Sequence, residues 1–396
     1  MFVARIIVHI LGSEIAMSAY PAVRAFLLVL MSTVMATASG IVASAANPLE
    51  VRTPEEGVLM GVNVDEQISS VEAFNERLGR DAVAYGRFVA FPLDAGDNGD
   101  LDAFMKDVVE VGGIAILSVE PTIALSEITP DQAAMLADQL AAYNDDGAAV
   151  LLRFAPEMNG SWHPWGQQPL AYVEAFRLVA DAIHESAPDT AMLWSPNYGA
   201  GYPFRTPSAE DNTSESLAIL DTDGDGQLTM NDDPYAPYYP GDEYVDWVGM
   251  TLLHWGGAYP WGENEVPEPD KFVQQLQGRH VGANGDESYL PNFHETYVVA
   301  TGKPLMVLTS ALVNTEIHDG ASALDIKQGW WRQVFGAARN QIPELALVEW
   351  FERSRNEPEA GNALIDWTIA EDEAVREAFL TDARELNIIF APYPAK

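Results

Sequence analysis

"GAAVLLRFAPEMNGSWHPWGQQPLAYVEAFRLVADAIHES" (Gly147–Ser186) passes through three kinds of segment in succession. Ala148 to Leu152 is a continuous apolar run, too short for a helix, and reads as a strand buried on both faces. An aromatic loop rich in Gly and Pro follows it. From Pro169 the pattern is that of an amphipathic helix with proline in its first turn. A buried strand feeding a helix through a loop is one βα unit, and it sets the pattern to look for elsewhere.

The same rhythm recurs along the chain. Strand-like runs are "GVLMGVNV", "AVAYGRFVAF", "GGIAILSVE", "GAAVLLRFA", "AMLWSPN", "DWVGMTLL", "KPLMVLTS" and "LALVEWF". Amphipathic stretches stand between or after them: "TPDQAAMLADQLAAYN", "PLAYVEAFRLVADAIHES", "EPDKFVQQLQG", "LDIKQGWWRQVFGAARN" and "EDEAVREAFLTDARE". Alternating strands and helices predict an α/β fold with a parallel sheet, and eight such units predict a single (β/α)8 TIM barrel over residues 47–396. A doubly wound open sheet is the rival architecture, but no glycine-rich phosphate loop follows any strand. In a barrel, function sits at the C-terminal strand ends, so the residues just after each run are the candidates.

Residues 1–46 read as a signal peptide, with the start at Met1 or Met17. Arg24 precedes the apolar run "AFLLVLMSTVMA", and "SGIVASAAN" offers cleavage at Ala43-Ser44-Ala45 or Ser44-Ala45-Ala46. The run is too short and too rich in small residues for a membrane span. The expected location is secreted or periplasmic, with no membrane association after cleavage. Cysteine is absent, which excludes disulfides and thiolate chemistry. With 59 acidic residues against 21 Lys and Arg, the net charge of −38 repels nucleic acid and anionic membranes.

The fourth run ends in a carboxylate, Glu157, flanked by Asn159, Trp162, His163 and Trp165. Period two places Arg153, Ala155 and Glu157 on one face. Cleavage of a glycosidic bond needs a carboxylic acid that keeps its proton near neutral pH, and apolar or aromatic surroundings raise a carboxyl pKa. Indole rings also stack on the apolar faces of sugars. A lone Glu at a strand end is more often a surface residue; inside a Trp-rich, Gly-turned loop it reads as functional.

"RFAPEMNGSWHPWG" resembles the acid/base signature of glycoside hydrolase family 26, the retaining endo-β-mannanases, lichenases and β-1,3-xylanases. "MLWSPN", "YYPGDEYVDWVGM", "WWRQVF" and "VEWFE" resemble further segments of that family in the same order, across essentially the whole chain after residue 46. The resemblance implies the same barrel, with Glu157 as general acid/base, Trp350 as a sugar-stacking residue, and Trp162 and Trp165 lining the cleft. It also implies a nucleophile glutamate at the end of strand seven. Here that position falls on Thr309, and no acid stands between Lys303 and Asn314. A threonine hydroxyl with no base beside it is a poor nucleophile. After strand six the family's tyrosine position falls on Leu253. Glu352, Glu120 and Glu316 are the acids that remain as substitutes, with Glu352 sharing a strand face with Trp350 by period two.

"DTDGDGQLTMND" (Asp221–Asp232) follows the grammar of a calcium loop inserted between strands five and six. Asp221, Asp223 and Asp225 take positions one, three and five, Gly226 the sharp turn, and Leu228 the apolar eighth position. Gln227 would offer its backbone carbonyl, Thr229 a water-mediated contact, and Asp232 replaces the usual bidentate Glu. The expected cofactor is a structural Ca²⁺. His254, Trp255, Tyr259 and Trp261 lie in a Gly/Pro-rich loop after strand six, and the expectation is that His254, Trp255 and Trp261 help bind substrate. The sequence therefore predicts a monomeric barrel whose partner is a polysaccharide or oligosaccharide. It acts either as an endo-β-glycanase or as a non-catalytic glycan-binding or sensing barrel.

Overall fold

The computed structural model describes residues 53–65, 70–93, 98–204, 214–338 and 340–392. The signal-peptide expectation falls outside them. Eight parallel strands form the barrel: β1 (Val58–Val64), β2 (Ala84–Phe91), β3 (Ile114–Pro121), β4 (Ala149–Phe154), β5 (Thr190–Trp194), β6 (Trp247–Thr251), β7 (Leu305–Thr309) and β8 (Leu345–Glu352). They pair in sequence order, and β8 closes on β1 through the register Gly61↔Glu349 and Val62↔Trp350. All eight expected runs are strands, and the (β/α)8 barrel is the fold.

Helices cover the outside: α1 (Val71–Leu78), α2 (Asn98–Glu110), α3 (Pro130–Asp145), α4 (Pro169–Ser186), α5 (Ser214–Leu220), α6 (Lys271–Leu276), α7 (Ala323–Ala337) and α8 (Glu373–Glu385). Local chemistry fixes several of their ends. Thr129 and Gln132 form a capping box ahead of α3, with Pro130 in the first turn. Ser322 and Asp372 cap α7 and α8 by accepting from Asp325 N and Val375 N. Gly79 closes α1 in the left-handed region that glycine tolerates best. Among the described residues, no helix is long and apolar enough to cross a membrane.

Strand alternation sorts side chains into two buried clusters. Leu59, Ile114, Ile116, Ala149, Leu151, Leu193, Met306, Leu308, Leu347 and Phe351 fill the barrel interior. Ala115, Leu117, Val150, Leu152, Val307, Val348 and Trp350 pack outward beneath the helices. The interior cluster continues out of the C-terminal end through Leu312, Ala360, Ala363, Ile365 and Trp367. These belong to or adjoin a small antiparallel sheet of Val313–Asn314, Ala363–Asp366 and Ser354–Glu357. That sheet seals the ends of β7 and β8.

Candidate active site

Arg153 points into the barrel from β4 and is 1% exposed. Its guanidinium reaches three neighbouring strands' ends: Nε donates to Ser195 Oγ at 3.0 Å, Nη1 to Ser118 Oγ at 3.4 Å, and Nη2 to Thr251 Oγ1. A buried guanidinium needs this many acceptors to offset its lost hydration. Burial still lowers its pKa, against the pull of Glu157, Glu349 and Glu120. One buried cation thus sits among three carboxyl groups.

Glu157 is held by an unusual backbone. Ala155 has φ 43° and Glu157 φ 57°, left-handed values that cost a non-glycine residue on the order of 1–2 kcal/mol each. This breaks the strict alternation expected beyond Phe154, so Ala155 joins the outer cluster while Glu157 returns to the mouth. Trp162 Nε1 donates to Glu157 Oε2 at 2.9 Å, Arg153 Nη2 lies 3.8 Å from Oε1, and His163 Nε2 lies 3.8 Å from Oε2. Burial works to raise this carboxyl, but His163, Arg153 and the Thr251 hydroxyl outweigh it and hold it at about 2. The expected elevated acid is therefore a carboxylate here, because the aromatic loop that excludes water also delivers donors and sits over a buried guanidinium.

The surrounding loop divides into contacting and supporting residues. Trp162 is 46% exposed and meets Phe204 edge to face at 5.0 Å. His163 stacks on Trp165 at 4.3 Å and 7°, and Trp165 itself is buried, donating Nε1–H to Pro156 O. Trp165 is a buttress and not a cleft wall. Asn159 is fully buried; its amide donates to Asn197 O at 2.7 Å and accepts from Asn197 N at 2.8 Å, tying the β4 loop to the β5 end.

Several expected site residues lie elsewhere. Thr309 faces outward, donating to Leu252 O and accepting from Trp330 Nε1 at 2.8 Å. Trp350 shares that outward face, fully buried, with its Nε1–H on Trp367 O at 2.8 Å, so it cannot stack on a sugar in the mouth. Glu352 does share Trp350's face, but the face is the outer one. Its carboxylate accepts from Ile369 N at 2.7 Å and Ala370 N at 2.9 Å, and burial lifts it to about 7 against those bonds. The inward residue at the end of β7 is Ser310, buried and donating to Trp367 O at 2.6 Å. His254 is fully buried and stacked on Trp330 at 5.4 Å, with Nε2 3.0 Å from Glu265 O; burial, then Lys271, lowers it to about 4. Trp255 packs edge to face on Trp367 at 4.9 Å. Trp261 remains part-exposed beside Tyr259, which is 71% exposed.

Sequence reasoning missed Glu349. It is fully buried on the inward face of β8, where Asn63 Nδ2 donates to Oε1 at 2.9 Å while Oε2 has no hydrogen-bond partner. Burial raises its pKa, and Arg153 and the Asn63 amide oppose that. A single acid inside the apolar run "LALVEWF" was the available signal. Glu120, at the end of β3, is only part-buried; burial raises its carboxyl, His163 and Arg153 oppose, and Glu157 reinforces. Arg353 completes the group, donating Nε–H to Asn63 Oδ1 at 3.0 Å and lying over Phe88. A hollow of about 850 Å³ at the opposite end, lined by Gly57, Pro304 and Leu345, contains none of these residues.

In the inserted loop, one carboxylate oxygen from each of Asp221, Asp223 and Asp225 can lie within 4.8 Å of the others. Such hard oxygen donors suit Ca²⁺. Asp232 is buried and already occupied, with Oδ1 accepting from Thr222 N and Asp223 N and Oδ2 from Thr229 N. Gln227 is exposed and Thr229 part-buried.

No family model matches the chain. It is 24% identical over 311 residues to Endoglucanase H of Acetivibrio thermocellus, an alignment covering 76% of this chain. The chain spans 28% of the length of that curated relative. Among solved structures, a β-glucosidase from Thermotoga maritima matches with a TM-score of 0.51 at 12% identity, over 85% of this chain and 100% of that one. The Bacillus subtilis mannanase BCman matches with a TM-score of 0.44 at 16% identity, over 84% and 88%. The β-glucosidase match is to the barrel fold.

Proposed function

We propose that this protein is a glycoside hydrolase-like barrel that takes a β-linked polysaccharide or oligosaccharide at its mouth and acts at Glu157. One observation carries the reading. A carboxylate on a left-handed strand end is clamped between an exposed indole and a buried guanidinium, with an imidazole beside it. Left-handed non-glycine backbone at a strand end is a feature of functional sites. The exposed Trp162 and the Tyr259–Trp261 pair offer sugar-stacking surface. The Endoglucanase H likeness supports a glycan as the partner. Secretion to the periplasm or medium and a monomeric state belong to the same proposal.

The β7 end carries no carboxylate, and this favours a second reading in which the barrel binds glycan without cleaving it. The test is reducing-sugar release, alongside retardation in glycan-containing gels, on β-mannan, mixed-linkage β-glucan and β-1,3-xylan. Release abolished by Glu157→Ala establishes the hydrolase. Retardation without release establishes the binding barrel. Neither binding nor release on any of the three overturns the glycan reading itself.

A structural Ca²⁺ in the Asp221–Asp225 loop is also proposed, with Gln227 and Thr229 as further oxygen donors. Asp232 is left to hold the loop together. Its role would be to order the β5–β6 connection, since its acids would be spent on the ion.

A further inference from the structure

"HVGANGDE" (His280–Glu287) folds as a two-stranded hairpin, Val281–Gly282 against Gly285–Asp286. Glu287, just past its second strand, is only 6% exposed. A carboxyl group buried to that degree is destabilising unless hydrogen bonds replace its water. Here both oxygens are engaged, and both partners stand in loops. Tyr198, beyond the end of β5, donates its hydroxyl to Oε2 at 2.7 Å, and Asn284 in the hairpin turn donates Nδ2–H to Oε1 at 3.3 Å.

These two bonds are the middle of a longer connection. Asn284 Oδ1 accepts from Tyr259 N at 3.1 Å, in the β6 loop that carries exposed Tyr259 and part-exposed Trp261. In the other direction, Tyr198 follows Asn197, which exchanges hydrogen bonds of 2.7 and 2.8 Å with the Asn159 amide. Asn159 lies two residues beyond Glu157, whose own N–H donates to Ser195 O at 3.0 Å. Tyr198 is fixed in turn by its N–H on Thr251 O at 3.0 Å. The base of the β6 loop is pinned separately. Lys271 donates to Gly256 O at 2.8 Å and pairs with Glu268 at 3.0 Å, and Glu268 accepts from Ala283 N at 3.2 Å. The aromatic platform and the Glu157 loop, which follow β6 and β4 at the same end of the barrel, are thus joined through one buried acid.

We infer that Glu287 is a positioning residue, holding the Tyr259–Trp261 platform in fixed relation to the Glu157 loop so that the mouth selects long glycan chains over short ones. This rests on the proposed glycan reading of the mouth. A platform already in place binds additional sugar units without the entropic cost of ordering a loop. Only a chain that touches the platform and the Glu157 loop together gains from that preorganisation. With the bridge cut, the platform must be ordered at each binding event, and the advantage of length falls.

The experiment uses the full chain as an E157Q parent, in which no acid remains at that position to cut the ligand. Calorimetric titration gives its affinity for a disaccharide and a hexasaccharide of β-mannan, mixed-linkage β-glucan and β-1,3-xylan, and the ratio of the two affinities is the readout. The parent should prefer the hexasaccharide. W261A, E287A and N284A should each lower that ratio by about tenfold, the scale of losing one aromatic anchor. E287A added to W261A should lower it no further, because the bridge has nothing left to position. Asn284 is exposed, so N284A cuts the bridge outside the core and gives the answer if E287A fails to fold. A merely structural role would weaken both ligands together. An unchanged ratio in N284A, or E287A and W261A effects that add, overturns the assignment. So does a parent indifferent to chain length, an outcome that leaves glycan binding intact. A parent that binds none of these oligosaccharides overturns the glycan reading and this assignment with it.

Discussion

The indole Nε1 of Trp162 donates to Glu157 Oε2 at 2.9 Å, five residues along the same loop. The bond exists because the loop folds back on Gly160, where a side chain would run into the Trp162 ring. The residue most available to stack on a sugar is thus also a donor to the carboxylate.

Trp162→Phe keeps the ring and removes the donor. A hydrogen bond to a charged group contributes about 1.5–3 kcal/mol, so the Glu157 carboxyl should rise by about one to two units. Carbon-detected NMR titration of Glu157 reads this directly. A midpoint that does not move would show that the indole contributes nothing to the carboxylate.

Glu157 also links stability to pH. Its folded pKa, about 2, lies below the unfolded value of about 4.3. Its contribution is therefore present above the unfolded value and lost as pH falls through the folded one. Glu157→Gln should cost on the order of 2–3 kcal/mol at pH 7, and the difference from wild type should shrink steadily below pH 4. Urea unfolding at several pH values measures it; a difference independent of pH would contradict the linkage.

Glu349 has the opposite sign. Burial raises its folded pKa, so it detracts from stability as pH rises above the unfolded value, and the deficit is complete above the folded value. Glu349→Gln keeps an acceptor for the Asn63 amide and should leave stability unchanged in acid and increase it at neutral pH. Destabilisation at neutral pH would mean the carboxylate is needed there, beside Arg153. Gly86 faces the same carboxyl, and a Cβ added there would overlap Glu349 Oε1. Gly86→Ala should cost 2 kcal/mol or more (an estimate of about that order for overpacking). Most of that cost should disappear in the Glu349→Ala background.

For the calcium loop, EDTA should lower the melting temperature and added Ca²⁺ restore it. Asp221→Ala should abolish both responses. A melting temperature indifferent to EDTA would remove the ion from the description of this loop.

The sequence by itself determined the barrel. Eight short apolar runs alternating with amphipathic stretches call for a parallel sheet buried on both faces beneath helices, and the count of eight, with no glycine-rich phosphate loop after any strand, favours the closed barrel over the open doubly wound sheet. It also singled out Glu157, because a strand that ends in an acid among Trp, His and Gly is a local pattern. It placed Trp350 and Glu352 on one face correctly, since period two is a property of the backbone. What it could not decide was whether that face is the inner or the outer one, because in a barrel both faces are apolar and buried. Only the closure of β8 on β1 turned Glu349 inward and sent Trp350, Glu352 and, on β7, Thr309 outward. The state of Glu157 was likewise decided by the tertiary structure. Its carboxyl is governed by Arg153, whose own position depends on oxygens contributed by Ser118, Ser195 and Thr251 at the ends of three other strands. Charges brought together by strands far apart in the chain leave no mark on any single stretch of it.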